Sequence, residues 1–563
     1  MIFAGDFDTL PETETGASLQ YRLLLPLSIS LLCRISPLSA QQPDPGTYGD
    51  AQPQSPETAP APPAREAAEL SHATYERSAE AAERLEAEAE AEPDDVGWGG
   101  DDSAGFGDLS EAEQSTEAPP PPSNLTVDGF FRSRNALWAE RLRDNPLAQL
   151  RQSVDADLAY KKPFDLGDDR LVLRLQAGAH LEYDLAYQHE RDTYDKPTLD
   201  EYEWRIIGRE TFISLAYDAL ELTFGRQIVA WGQGFVLSPI DVVNPTDARE
   251  PYLVDLEDMR LAVLASRVGL YLDDHRLEGM VVHEADFGLK PPPLATFSPL
   301  RKLLLADPLI ARVLQTKTLR YKEVPDRYVK QAAQYLGRWT YTGHGFDLTF
   351  CAASVLDELG AARLPDPSEY MQDEIDLEMW HPRYTMLANS GAVPVSDLLL
   401  RWELAFDLDR PFATIDTSSE GFDTGMERFD QIFGMLGFTY TGISDTDVVL
   451  EYEQHYVLEN PRRKSADYPI RILYPVEQPQ IALRFSHNAL RERLNIDGLV
   501  LVFGIWDYTG WLGRLGFRYE LQDAVRIGAG YMTYQPVDAT STIYGFDDHD
   551  WVYAIFRWDF LLQ

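Results

Sequence analysis

From Leu171 to Tyr187 apolar and polar positions alternate. Leu171, Leu173, Leu175, Ala177, Ala179, Leu181, Tyr183, Leu185 and Tyr187 hold the odd positions, while Arg174, Gln176, His180, Glu182 and Asp184 fall on the even ones. Neighbouring side chains of a strand point to opposite faces, so the pattern predicts a strand with one apolar and one charged face. It runs well past the roughly 5–6 residues usual in soluble strands and suits the about 9–11 that cross a bilayer at a tilt. Val448, Leu450, Tyr452, Tyr456 and Leu458 alternate in the same way with Glu451, Glu453 and His455. Leu515, Phe517, Tyr519 and Leu521 alternate with Arg514, Arg518 and Glu520. The last segment puts Val552, Ala554, Phe556, Trp558 and Phe560 on one face, followed by Leu561-Leu562-Gln563. An aromatic-rich terminal strand of this kind is what barrel-assembly machinery reads.

The links between these segments fall into two classes. Tight ones are predicted at Asp218-Ala219, Asp273-Asp274, Thr342 to Gly345, Gly442 to Asp445, Ala489 to Arg493 and Gln522-Asp523. Long ones are predicted at 190–201, 231–256, 286–331, 358–378, 410–428, 460–477 and 536–548. Short and long nearly alternate, as the two rims of a membrane barrel require; the link near Tyr508-Thr509-Gly510 is tight where a long one is due. The expected fold is all-β: a transmembrane antiparallel β-barrel over residues 126–563, of about 18 strands, with 16 the nearest alternative. A soluble sandwich or propeller explains the alternation but not two alternating loop classes. Within 286–331, Leu300, Leu303, Leu304, Leu305, Leu309, Ile310, Val313 and Leu314 follow Pro291 to Pro293. They predict an amphipathic helix broken at Pro308, either capping the mouth or lying on the rim.

Composition adds limits. The formal charge is −43, from 49 basic and 92 acidic residues, which excludes nucleic acid as a partner. The two cysteines are Cys33 and Cys351; Cys33 lies in a segment expected to be removed, so no disulfide is expected to staple the fold. Arg22, the apolar run Leu23 to Cys33 and the small-residue site Leu38-Ser39-Ala40 have the layout of a signal peptide over 1–40, and the acidic stretch 1–18 ahead of it is what a misassigned start codon would leave. Residues 41–125 are rich in Pro, Ala and Glu, lack a repeating apolar face, and read as a disordered arm in the periplasm. Within it, 65–92 has a composition suited to a solvated helix.

One stretch is more specific. Leu222-Thr-Phe-Gly225-Arg226-Gln227 is followed by Trp231-Gly232, then by Asp241-Val-Val-Asn244-Pro245-Thr-Asp247-Ala-Arg249-Glu250. Arg226 takes the parity opposite to Leu222 and Phe224 if the strand bulges after Gly225, and theirs otherwise. Trp231 sits where an interfacial girdle is expected. Asp241, Asp247, Arg249 and Glu250 can pair with one another or with Arg226 and pin the loop to the inner wall. That gives either a stiffening loop or an inward one that narrows the bore. The Gly-Arg-Gln, Trp-Gly and Asp…Asn-Pro-x-Asp elements, with Leu277-Glu278 and Pro291 to Pro293, resemble a family of proteobacterial outer-membrane barrel proteins known chiefly as a domain of unknown function. The resemblance covers 127–560 and implies a porin-like barrel, with no substrate attached.

No Gly-x-Ser-x-Gly, His-Glu-x-x-His, P-loop or Cys-x-x-Cys motif occurs, so no cofactor or metal is implied and no enzyme is expected. His455 beside Glu451 and Glu453 reads as a hydrated lumen residue rather than a ligand. Ser486 and His487 are neighbours on a strand and so face opposite ways. Arg174, Arg514, Arg518, Arg526, Glu451 and Glu453 are the candidate lumen charges. The expected function is porin-like passage of small solutes through the outer membrane, in contact with outer-membrane lipid and lipopolysaccharide. The alternatives are a lipid-modifying enzyme of that membrane, or a structural or adhesive barrel acting through its loops or arm.

Overall fold

The computed structural model describes residues 124–562, apart from 141–145, 168, 254–258, 306–310, 313, 315, 364–371, 417–422, 461–469, 473–476, 478 and 538–540. The signal peptide, the acidic arm, its helix over 65–92 and the break at Pro308 lie outside the described residues.

Eighteen strands form one closed antiparallel barrel: β1 Leu125–Trp138, β2 Leu147–Leu166, β3 Asp169–Asp184, β4 Trp204–Tyr217, β5 Leu220–Gln227, β6 Val263–Leu272, β7 His275–Val282, β8 Gln334–Gly343, β9 Phe346–Leu356, β10 Arg383–Val395, β11 Leu398–Asp416, β12 Asp423–Ile443, β13 Thr446–Val457, β14 Gln480–Ala489, β15 Leu494–Phe503, β16 Gly510–Gln522, β17 Val525–Pro536 and β18 Trp551–Leu562. Each strand pairs with the next in sequence, and β18 pairs back onto β1 from Trp138↔Trp551 to Val127↔Leu562. No barrel edge is left open, so every strand has partners on both sides. A three-residue strand, Ile470–Ile472, adds to the outer end of β11, and a small sheet of Thr318–Val324, Glu374–Trp380 and Ala361–Arg363 stands apart from the barrel.

The two loop classes segregate to opposite rims. On one rim lie the tight turns at Asp218, Asp273, Gly345, Ser396, Asp445 and Ala524, each a residue with φ between 48° and 91°. Asp, Ser and Gly tolerate that region through local hydrogen bonding or the lack of a Cβ. The turns at Ser396-Asp397 and after Leu166 join those expected from sequence. On the other rim lie the long links. The link expected over 410–428 is much shorter: β11 continues to Asp416 and β12 resumes at Asp423. The link at Gly504–Thr509 is short and lies on the long-loop rim.

The outward face is apolar along the wall, with Leu181, Ile213, Phe224, Leu277, Phe350, Leu436, Leu450, Phe517 and Val552 all exposed. Rings gather at both ends of this belt: Tyr217, Tyr271, Phe346, Tyr440 and Trp558 near the turns, Trp204, Tyr335 and Tyr456 near the loops. Tyr456 pairs with Ile432, eight residues along the strand from Tyr440. At about 3.4 Å per residue and a tilt of about 40°, that separation is roughly 21 Å along the barrel axis, comparable to an apolar band of about 25 Å.

The interior departs from a uniformly wet lumen. Over β6–β11 the inward side chains include Val263, Ala265, Met280, Val282, Leu336, Cys351, Ala353, Val355, Met386, Ala388 and Ala405, all buried. Cys351 is one packed side chain among them. An apolar inner arc of this length must be covered from inside, and the segment that covers it is the loop between β5 and β6.

Candidate functional site: a loop that crosses the bore

Residues 228–253 and 259–262 fold into the barrel. Val229, Trp231, Ile240 and Val243 pack onto the apolar arc, while Leu237 and Leu253 join a second core with Met435, Ala482, Leu501, Phe503, Leu512 and Tyr534 on another part of the wall. Burying these six side chains contributes on the order of 10 kcal/mol before the entropy of ordering the loop is counted.

A segment without regular structure still has to satisfy its N–H groups in a dry interior. Two wall carboxylates take six of them. Glu403 of β11 accepts from Gln233, Gly234 (2.9 Å) and Ile240 (3.3 Å), and from the Ser238 hydroxyl (2.9 Å). Glu451 of β13 accepts from Phe235 (2.7 Å), Val236 (2.9 Å) and Leu237 (3.0 Å). Arg401 donates to the Gln233 carbonyl and, at 3.3 Å, to Glu451, and its guanidinium lies 4.2 Å from the centre of the Phe235 ring. This tight wrap fixes two glycines. A Cβ on Gly232 would lie 1.7 Å from Ser238 Oγ, and one on Gly234 1.8 Å from the Leu237 carbonyl oxygen.

The residues singled out in the signature distribute themselves along this loop. Trp231 is not in an outer girdle. It is buried inside, its Nε1 donates to Glu278 (3.3 Å), and Arg338 sits 5.7 Å from its ring while donating to the Ala230 carbonyl. Asn244 is a clip: its Oδ1 accepts from Val229 (2.7 Å) and its Nδ2 donates to the Gln227 (3.0 Å) and Leu261 (2.7 Å) carbonyls, drawing the two ends of the loop together. Asp241 pairs with Arg260 at 2.7 Å. Arg249, buried, forms a fork with Asp247 (2.6 and 2.9 Å) and reaches Glu182 of β3. Glu250 accepts from Arg151 (2.6 Å) and Gln149 (2.8 Å) of β2. Arg226 does not join them. The register is unbroken across Gly225, so Arg226 keeps the parity of Leu222 and Phe224 and pairs at the loop rim with Glu284 (3.1 Å).

The remaining anchors are Arg514 of β16, which donates to the Leu253 carbonyl (2.9 Å), and Tyr534 of β17, which donates to that of Pro251 (2.7 Å). Arg514 and Glu451 face inward as the alternation predicts, whereas nothing in the alternation marks Glu403, Arg401 or Arg338 as anchors. The loop thus holds wall strands β2, β3, β7, β8, β11, β13, β16 and β17, right round the ring. Of the other lumen candidates, Glu453 pairs with His455 (3.2 Å), and His455 stacks on Phe433. Arg518 donates to Asn495 (3.0 Å), and Arg526 lies 3.9 Å from Asp559. Arg174 is exposed toward the turn rim. Ser486 bonds Asn495 inside while His487 bonds Thr446 (2.8 Å) on the other face, so the two do not meet.

Solved structures with a similar outline include an outer membrane protein. OpdK of Pseudomonas aeruginosa is 11% identical, with 78% of this chain and 99% of that one covered and a TM-score of 0.41. OccAB1 of Acinetobacter baumannii is 9% identical, covering 78% and 96%, with a TM-score of 0.43. OccK3 (OpdO) of Pseudomonas aeruginosa is 10% identical, covering 78% and 96%, with a TM-score of 0.42. No family model and no curated protein matches the chain, so the resemblance carried by Gly225-Arg226-Gln227 and Asn244-Pro245 rests on those residues alone.

A second inward feature stands above the loop. Phe297, in the link 283–333, packs among Trp138 (5.9 Å), His549 (5.2 Å), Phe546 (5.6 Å) and Trp551 (5.4 Å) between ring centres. The helix expected in this link is present as Pro299–Leu305. In the link 185–203, Glu201 is largely buried, and that burial pushes its carboxyl up to about 7, against the pull of Arg205 and Arg249.

Proposed function

We propose that the protein is a porin-like channel of the bacterial outer membrane, in which residues 228–253 set the constriction that small solutes pass. The observation that carries this reading is the loop held across the bore of a closed barrel by Glu403, Glu451, Arg249 and Glu250. An apolar belt with rings at both ends suits lipid outside, and the charged inner wall toward the turn rim, with Arg174, Arg518, Arg526 and Asp157, suits water inside. With long links on one rim and tight turns on the other, the loops face outward from the cell and the turns face the periplasm. Charges of both signs on opposed walls favour polar solutes over apolar ones. The test is purified, refolded protein in planar bilayers. Discrete conductance steps that grow when the constriction is loosened support the reading, and a correctly folded but silent barrel refutes it.

A further inference from the structure

The outward face of β5–β10 breaks the apolar belt with a trough. The register lines up Leu222, Val268, Gly279, Gly337, Ala352 and Leu387 in one row across six strands. The taller side chains stand at the ends and the row is nearly bare in the middle, leaving a hollow of about 770 Å³. From Val268 to Leu387 it spans four strand spacings, about 19 Å, wide enough for several hydrocarbon chains side by side.

At the loop end of the trough the charge changes. Arg383, next outward on β10 after Thr385, donates to the Ser354 carbonyl (2.6 Å) and hydroxyl (3.4 Å) and to the Gln331 carbonyl (3.0 Å). Arg428 of β12 donates to the carbonyls of Arg383 (2.8 Å) and Asp409 (2.9 Å). Their partners are carbonyl and hydroxyl oxygens, and among the described residues neither forms an ion pair. Three other arginines of this rim are neutralised: Arg226 by Glu284, Arg327 by Asp286, Arg320 by Asp376. In a chain with 92 acidic and 49 basic residues, two adjacent arginines without a carboxylate mark a place for an outside anion. Ser354 lines the trough and bonds Arg383, so the apolar hollow and the cationic site are continuous.

We infer that this face binds one lipopolysaccharide molecule through its lipid A: phosphate on Arg383 and Arg428, acyl chains in the trough over Gly279, Gly337 and Ala352. Guanidinium forks match phosphate geometry, and several parallel chains fill a hollow too broad for one. Two copies packed trough to trough would bring like charges together, so a second copy is disfavoured. The inference rests on the outer-membrane reading above and adds the ligand and its site.

The experiment takes full-length protein from the native membrane, after fractionation has located it, and measures bound lipid A by native mass spectrometry after detergent exchange. Two variants accompany the wild type. Gly337→Leu fills the trough, and a Cβ there meets nothing nearer than the Glu278 carbonyl oxygen at 3.7 Å, so the wall accepts it. Arg383→Gln with Arg428→Gln removes the charge. About one lipid A per wild-type barrel, falling at least tenfold in both variants while heat-modifiable mobility is kept, supports the site. Equal retention in all three forms, phosphatidylethanolamine in place of lipid A, or a dimer that Gly337→Leu disrupts each overturns it. Recovery outside the outer membrane overturns the location reading itself, and is read at the fractionation step.

Discussion

Replacing Glu451 with Gln tests how the bore is held. The side chain keeps its length and one carbonyl oxygen but loses the charge that takes the N–H groups of Phe235, Val236 and Leu237 and faces Arg401. A hydrogen bond to a charged group contributes about 1.5–3 kcal/mol and a neutral one about 0.5–1.5, so three weakened bonds cost about 3–4 kcal/mol of local stability. At about 1.4 kcal/mol per decade, opening of this part of the loop becomes roughly 10²–10³ times more frequent. Hydrogen exchange followed by mass spectrometry on peptides covering 233–240 reads this directly, and planar bilayers read it as larger or noisier conductance. Glu453→Gln is the control, because Glu453 pairs with His455 in the same strand. If protection at 233–240 falls less than tenfold in the Glu451 variant, or falls equally in the control, the carboxylate cradle is not what seats the loop.

Further outcomes follow from other contacts. Arg249→Met leaves Asp247 and Glu182 without their buried fork and lowers the unfolding midpoint in urea, by about 3–5 kcal/mol of stability. Phe297→Ala empties the ring cluster at the outer mouth, costs about 3–5 kcal/mol and raises single-channel conductance. Because burial raises the Glu201 carboxyl to about 7, the folded link binds a proton that the unfolded chain releases near pH 4.5. The stability it confers is full below that value and is lost as pH rises through about 7, so protection factors for 196–202 fall between pH 5 and 8, and Glu201→Gln makes them flat over that range. Ala524 has a φ of 66° in a tight turn, so Ala524→Gly stabilises the barrel by up to about 1–2 kcal/mol in the same urea assay.

The barrel was legible because its outer face obeys a period of two and its links come in two lengths. Eighteen strands and most turns follow from those signals alone. The link expected over 410–428 was overestimated because Asp409, Arg410 and Pro411 look like a break, yet the strand passes them through a bulge after Asp407. The anchors were harder to see. Glu403 and Arg401 sit in a strand where any inward charge reads as a hydrated lumen residue, and only the loop folded against them gives them partners. A signal did exist: Cys351-Ala352-Ala353 and Val281-Val282 are apolar on both parities, which a wet inner wall does not explain and a covered one does. Trp231 has the residue type of a girdle position, and residue type alone does not say whether a loop turns in or out.

The segment between Gln227 and Val263 reaches β2 on one side of the β1–β18 seam and β17 on the other. Sealing the cylinder first would require that segment to be threaded afterwards through a rim already crowded by Phe297, so the sheet must curl around its own contents and join its edges last. A chain unable to seat Glu403 and Glu451 on their amides should therefore stall as an unsealed sheet, and the fault would surface during assembly before it could surface in conduction.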